Sequence, residues 1–416
     1  MYKNKLLFIA ISILFISQIS ISQNNTNSPY TQFGFGDISD TNNGEQRAMG
    51  GVSIGSRLNT SINSVNPASY SCVDSMTFQF DLGIAGMMSH FSEGNKGVTK
   101  ANANLEYLTL QFPITKWLGF SAGALPYSFV GYSFYNNDTT VLKDISKNDT
   151  ITSSKSFSGN GGFSQVYMGL SANLFNHLSL GVNAYYMYGT INNYRDLSFN
   201  SANGFSSTTE INALKANSFR YRIGAQLYNT FAQKHDVTLG FIFEQKTKLN
   251  GNFQKITSGV LTDTIPPIYG FETPTMYGIG LYYTFDKRLS IGIDYSLQQW
   301  KDAQFFGKTD SLGNRSKLAI GVEYLPNPKG RKYSDRVRYR AGFNLSDSYF
   351  NVKGQTLPKS FGLSLGIGLP LRNSSTVLNA SFEYGKVGTL SVLNEDFYKL
   401  TFNFTFNEHW FFKRKL

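Results

Sequence analysis

From Tyr398 to Asn407 the chain alternates without a break. Tyr398, Leu400, Phe402, Phe404 and Phe406 take every second position, with Lys399, Thr401, Asn403, Thr405 and Asn407 between them. Successive side chains of a strand point to opposite faces, so the segment predicts a strand with one apolar and one polar face. A helix would scatter both sets around its circumference. In a water-soluble sandwich the apolar face needs a second sheet over it; in an outer membrane it needs only lipid. The same alternation recurs from Met76 onward, with Phe78, Phe80, Leu82 and Ile84 set against Gln79, Asp81 and Gly83, and then Leu108, Leu110 and Phe112. Further strands are predicted at 118–135, 166–174, 178–188, 219–227, 237–243, 276–285, 289–297, 318–324, 337–345, 361–371 and 376–384. With the closing strand the total is about fourteen, even as in bacterial single-chain barrels.

The connections choose between lipid and a second sheet. Short ones at 115–116, 176–177, 232–235, 286–288, 327–334 and 372–375 alternate with long ones at 92–102, 136–161, 200–217, 254–272, 301–314, 346–359 and 386–395. One rim is trimmed and the other ornate, which is the arrangement of outer-membrane barrels, with short periplasmic turns and long outer loops. Trp117, Trp300 and the run from Trp410 to Phe412 sit at strand ends, where amphipathic aromatics favour the membrane interface. The expected fold is all-β: a transmembrane antiparallel β-barrel of about 14 strands.

The N-terminus supplies an address. Lys3 and Lys5 precede an apolar run at 6–19, and Ser20 and Ser22 stand at the small-residue positions of a cleavage site before Gln23. Residues 1–22 therefore read as a secretory signal, and the mature chain is expected in the outer membrane of a Gram-negative bacterium. The competing reading, a retained spanning helix, needs about 20 apolar residues. Cys72 is the single cysteine of 416 residues, so disulfides do not hold the fold, and it lies far from the site where a lipid would be attached. The formal charge of +11 suits phosphorylated lipid heads, lipopolysaccharide or a surplus of solvated lysines. No dense basic run exists outside Lys413 to Lys415, so no nucleic-acid partner is expected.

Residues 23–74 lack alternation and are rich in Asn, Ser and Gly. Two readings stand, a disordered leader or a small packed plug turning at Gly34, Gly36, Gly50 and Gly51, with the barrel at 75–416. No enzyme chemistry, cofactor or metal site is expected. The histidines, His90, His177, His235 and His409, fall at strand ends and turns, without a nucleophile and an acid at matching height. Their dispersion also lacks the three or four clustered ligands of a zinc site. Gly34-Phe35-Gly36 has neither the third glycine nor the strand-to-helix setting of a dinucleotide loop.

Arg47-Ala48-Met49-Gly50-Gly51 is followed by Asn66-Pro67-Ala68 shortly before the first strand, and the rest of the chain reads as about fourteen strands. In this the chain resembles the FadL/OMPP1/TodX family of outer-membrane transport proteins, whose N-terminal hatch ends in Asn-Pro-Ala. Ser69 stands where that family commonly has glycine. The resemblance implies a hatch-plugged barrel for passive uptake of small hydrophobic molecules, fatty-acid-like or aromatic, with Asn66, Pro67, Ala68, Gly50 and Gly51 as hatch and gating candidates. It also implies a lateral opening at a kinked third strand. Here that strand carries Pro126 between Gly123 and Gly131, and a proline marks either an opened pairing or a simple bulge. Inward positions hold Asp81, Arg220, Arg222, Glu244, Asp294, Lys317, Glu323, Arg338 and Arg340, either to hold the plug or to meet a substrate headgroup. The alternative function is a membrane-embedded partner or scaffold subunit of a protein-secretion or surface-attachment machine.

Overall fold

The computed structural model describes residues 26–136, 142–143, 150–151, 153–199, 207–257, 270–309, 312–352, 355–356, 359–371, 376–389 and 393–409. The expected signal at 1–22, Trp410 to Phe412 and Lys413 to Lys415 lie outside them. Fourteen strands form the wall: β1 (Thr77–Glu93), β2 (Lys96–Pro113), β3 (Leu118–Asn136), β4 (Ser153–Leu174), β5 (Leu178–Phe199), β6 (Thr208–Phe231), β7 (His235–Glu244), β8 (Met276–Phe285), β9 (Leu289–Gln298), β10 (Arg315–Tyr324), β11 (Arg338–Ser346), β12 (Ser360–Pro370), β13 (Val377–Thr389) and β14 (Leu393–His409). Each pairs antiparallel with its sequence neighbours, and β14 pairs with β1 to close the barrel.

The closing strand shows why the sheet is built for lipid. Leu400, Phe402 and Phe406 are each 43% exposed, whereas Thr401, Asn403 and Thr405 are 1–2% exposed. The polar face is inside and the apolar face outside, the inverse of a water-soluble sandwich. Similar outward rows run along β8 (Tyr277, Ile279, Leu281) and β12 (Leu363, Leu365, Ile367). A closed sheet leaves few backbone groups unpaired in hydrocarbon, which is what permits strands to span it.

Several strands exceed their expected lengths. β4 begins at Ser153 rather than 166, β2 at Lys96 and β6 at Thr208, and an extra strand at Asn250–Thr257 pairs with β6. Beyond the lipid zone both faces of a strand meet water, so alternation fades while backbone pairing continues. The short turns carry a second surprise. Phe175-Asn176, Ala232-Gln233 and Asp286-Lys287 all have positive φ without glycine. Two consecutive positive φ values make turns whose twist matches that of the strands they join, and here the pairing of long strands imposes them.

Residues 26–76 pass through the barrel interior and join β1 at Thr77, two residues after the expected boundary. Helix α1 (Gly44–Ala48) starts with a capping box, the Asn43 side chain accepting from Gln46 N and the Gln46 side chain accepting from Asn43 N. Gly50 and Gly51, at φ +71° and +96°, end it in a left-handed turn that residues with a Cβ rarely adopt.

Candidate functional site

Asn66 is fully buried and makes three sets of contacts. Its Oδ1 accepts from Ala68 N (3.1 Å), capping the 3₁₀ turn Pro67–Cys72, and its Nδ2 donates to Ile54 O (2.7 Å) and toward the β6 and β7 carbonyls of Ala225 (3.4 Å) and Phe241 (3.5 Å). The Ala68 carbonyl accepts from Ser171 (2.8 Å) and Ser179 (2.6 Å) of β4 and β5. Across the lumen, Gly50 N donates to Ser364 Oγ of β12 (2.9 Å). The two motifs picked out by sequence thus fasten the N-terminal segment to opposite arcs of the wall.

Charges fasten it further. Glu45 pairs with Arg340 (3.2 Å), which pairs with Glu323 (2.6 Å), itself held by Arg338 (2.7 Å). Asp294 Oδ2 accepts the backbone N–H of Ser53 (2.6 Å) and Ile54 (2.7 Å). Arg220 and Arg222 both bind Glu244, the latter at 2.9 Å. Asp81 accepts from Asn403 (3.0 Å) and Lys317 pairs with Asp40. All nine inward residues named from sequence lie on the polar side of their strands, and Arg222, Asp294, Lys317 and Arg340 reach the N-terminal segment directly. Alternation did not single out their partners Asp40 and Glu45, nor Arg47, because the N-terminal segment has no period. Glu106 also escaped it, sitting beside buried Tyr107 where a register shift between Gly83 and Ile84 breaks β2's phase. It binds Arg47 (2.7 Å) and Lys399 (2.8 Å).

Burial opposes ionisation of Asp40, but Lys317 and Arg315 beside it win and hold its carboxyl well below the usual carboxylate range. A depressed carboxylate stabilises the fold above its unfolded pKa, about 4, and loses that effect as the pH falls through its folded value. The side chain is 34% exposed to the cavity, so screening limits the gain to about 1 kcal/mol or less. Asp40→Asn is expected to lower the urea midpoint slightly at pH 7, with a deficit that shrinks as the pH falls below about 4; an equal deficit at pH 7 and pH 2 would show that the ion pair is irrelevant. Burial pushes the Cys72 thiol up, so it is no reactive thiolate.

The wall has a seam. β2 pairs with β3 only from Leu108↔Ala124 to Pro113↔Gly119, while β2 runs on beside β1 to Lys96. The pairing ends two residues short of Pro126, whose ring removes a donor, and the β3–β4 ladder shifts register between Pro126 and Ser128. Gly123 lies in the closed part and Gly131 beyond the break. The N-terminal segment covers the gap from inside. Asp37 and Ile38 pair with Phe129 and Ser128, Ser39 N donates to Tyr127 O (2.9 Å), and Gly131 N donates to Thr31 Oγ1 (3.2 Å). On the other side of the gap, Gly44 N donates to the Tyr107 hydroxyl (3.0 Å).

Behind the seam lies a cavity of about 230 Å³ with a charged lining that includes Asp37, Asp40, Arg47, Glu106, Arg315, Lys317 and Lys399 beside Phe129 and Phe350. Above it the protein's own rings fill the lumen. Phe35, fully buried, packs against Phe163 (6.0 Å), Trp300 (5.6 Å) and Phe305 (5.3 Å), and Trp300 packs on Tyr349 (4.8 Å). His90, His177 and His235 bond to Thr99, the Tyr228 carbonyl and Tyr283, far apart along the chain, and His409 ends β14. Among the described residues no three His, Cys, Asp or Glu side chains group as a metal would require.

A sequence-family model described as BamG matches residues 1–416. The chain belongs to the BamG family. No curated protein matches it in sequence. Among solved structures, a FadL homologue of Pseudomonas aeruginosa is similar with a TM-score of 0.59 at 15% identity, over 90% of this chain and 100% of that one. The toluene transporter TodX of Pseudomonas putida gives 0.58 at 15% over 91% and 99%. The Ralstonia pickettii toluene transporter TbuX gives 0.57 at 14% over 89% and 98%. At such identities the likeness establishes the fold, so this BamG-family chain has the barrel of outer-membrane hydrocarbon channels.

Proposed function

We propose that this BamG-family protein is an outer-membrane barrel that works as a closed, membrane-embedded subunit of a protein-secretion or surface-attachment assembly, with residues 23–74 as a fixed hatch. The observation that carries this reading is the lumen. Where an apolar cargo would sit, Phe35, Trp300 and Tyr349 are packed on one another. The remaining cavity, about 230 Å³, carries the bound pairs Arg47–Glu106 and Lys317–Asp40 among its aromatic and aliphatic lining, so an apolar guest would find little room there and would strip charges of water. Hydrogen bonds and ion pairs on opposite arcs of the wall hold the hatch still.

One observation favours a second reading, uptake of small hydrophobic molecules. The seam beside Pro126 opens next to the cavity, and proteins named as toluene transporters share the fold. Release sideways into lipid would suit apolar cargo, with lipid and lipopolysaccharide around the barrel. Uptake of labelled toluene and of a labelled long-chain fatty acid, by cells with the chain, without it, and with Asn66→Ala/Pro67→Ala, separates the two. Equal uptake in all three strains, with loss of a secreted or surface-attached protein when the chain is absent, is the expected result. Uptake that falls in both altered strains while the barrel still reaches the membrane would replace the subunit reading with transport.

A further inference from the structure

We propose that the short-turn end of β8–β11 is a docking site for an acidic, water-soluble periplasmic protein domain. This deepens the subunit reading and rests on it. The turns at 114–117, 175–177, 232–234 and 286–288 have three or four residues, but β10 and β11 are joined by 325–337. The wall does not require that length. Tyr324 and Tyr339 already face each other in register, and a short turn could join them.

The long connection is built rather than slack. Asn327 N donates to Asp335 O (2.8 Å), Gly330 N to Asn327 O (3.0 Å), Asp335 N to Lys332 O (3.2 Å), and Leu325 N to Arg288 O of the neighbouring turn (2.7 Å). It holds Lys329, Arg331, Lys332 and Arg336 against one acid, Asp335, and the adjoining turn adds Lys287 and Arg288 against Asp286. Among the described residues none of these six cations forms an ion pair, whereas the lumen's Arg47, Arg220, Arg222, Lys317, Arg338 and Arg340 all do. Arg336 Nε is buried without a hydrogen-bond partner, and Tyr333 is 49% exposed beside it.

Like charges gathered within a Debye length of about 8 Å repel one another, and an acidic surface relieves that repulsion. Solvated lysines are the bland explanation of a basic turn, yet they call for neither a braced loop nor an aromatic at its tip. Lipid headgroups fit less well than a protein. The outward aromatics Phe285, Tyr324 and Tyr339 mark the interface at the strand ends, and Lys329 to Lys332 lie five to eight residues beyond Tyr324.

The test places the photocrosslinker p-benzoylphenylalanine at Tyr333 in the full chain in cells. The same probe goes at Phe175 on the opposite arc of that rim and at Val98 at the long-loop end. The expected result is one protein adduct from Tyr333, absent from Phe175, with an acidic periplasmic domain. Its yield should fall about fivefold or more in Lys329→Glu/Arg331→Glu/Lys332→Glu, and likewise when the purified complex is irradiated in 0.5 M rather than 0.05 M salt, roughly the range over which exposed charges become screened. Barrel folding in the triple variant is checked by its shift on unheated gels, and the salt arm needs no variant. Lipid adducts only, or a protein adduct indifferent to charge reversal and salt, would overturn the docking site. An adduct from Val98 without one from Tyr333 would overturn this site and leave the subunit reading standing; no protein adduct from any position would remove both.

Discussion

Glu244→Ala is expected to cost about 3–5 kcal/mol of resistance to unfolding, because it leaves two buried guanidinium groups with no counter-charge. Arg220, Arg222 and Glu244 have side chains 2%, 8% and 4% exposed, and both arginines depend on that one carboxylate. Their other contacts are weak substitutes: Arg220 lies over the Tyr127 ring at 4.5 Å, and Arg222 has Tyr185 at 5.4 Å and a long hydrogen bond to Val65 O (3.4 Å). The pair Lys246–Glu272 is the control, since Lys246 is 41% exposed and Lys246→Ala should cost less than about 1 kcal/mol. Urea midpoints of the barrel refolded in detergent measure both. A loss at Glu244 no larger than at Lys246 would mean that water reaches the cluster. Changing all three residues together to Met, Leu and Leu should restore much of the loss, because the penalty comes from unpaired charge rather than from absent contacts.

That cluster shows what the sequence could carry. The even spacing of Arg220, Arg222 and the lipid-facing Phe219, Tyr221 and Ile223 was enough to place both arginines inside, and the same period gave the fourteen strands. A period reports which face a residue takes, not which residue it meets across the lumen. The Arg222–Glu244 contact comes from cross-strand register, Glu244↔Arg222, fixed by the turn at 232–234 whose positive φ residues are not glycine. The hatch was harder still. Its segment has no period, so Asp40 and Glu45 carried no mark, while Arg47 and Asn66 stood out only in the motifs of the resemblance and Gly50 also as a turn. Pro126 announced a disturbance in β3, but which neighbour it parts from depends on where the β2–β3 ladder stops.

The seam takes a different meaning in the two functional readings, and the hatch decides which one applies. A gate requires Asp37–Ser39 to leave the β3 edge at modest cost. Yet the same segment is held on β2 through Tyr107 and Glu106, on β10 through Lys317 and on β11 through Arg340. Departure from the seam therefore strains bonds around much of the circumference. Buried pairs broken one-sidedly are the costly kind, which favours a hatch that stays in place.

Gly240→Leu combined with Gly342→Leu is expected to convert a closed barrel into a conducting one. A Cβ on Gly240 of β7 would stand 2.0 Å from Ile54 O, and one on Gly342 of β11 would stand 2.0 Å from Gly50 N. Both obstacles are backbone atoms of the hatch, so no side chain can swing aside. Overpacking typically costs 1–3 kcal/mol even where side chains can yield. With two leucines on separate arcs the hatch cannot shift away from one without meeting the other. The wall itself tolerates leucine in a strand, so the barrel should still assemble while residues 44–66 lose their seat. Planar-bilayer recordings should then show steady conductance steps where the wild type shows none, and protease added from the short-turn side should cut within 26–73. A double variant as tight as the wild type would mean that the rings around Phe35 close the lumen without the hatch's grip on β7 and β11. Conductance would place the seal in that grip, because Phe35, the ring on which Phe163, Trp300 and Phe305 pack, belongs to the same N-terminal segment and leaves with it.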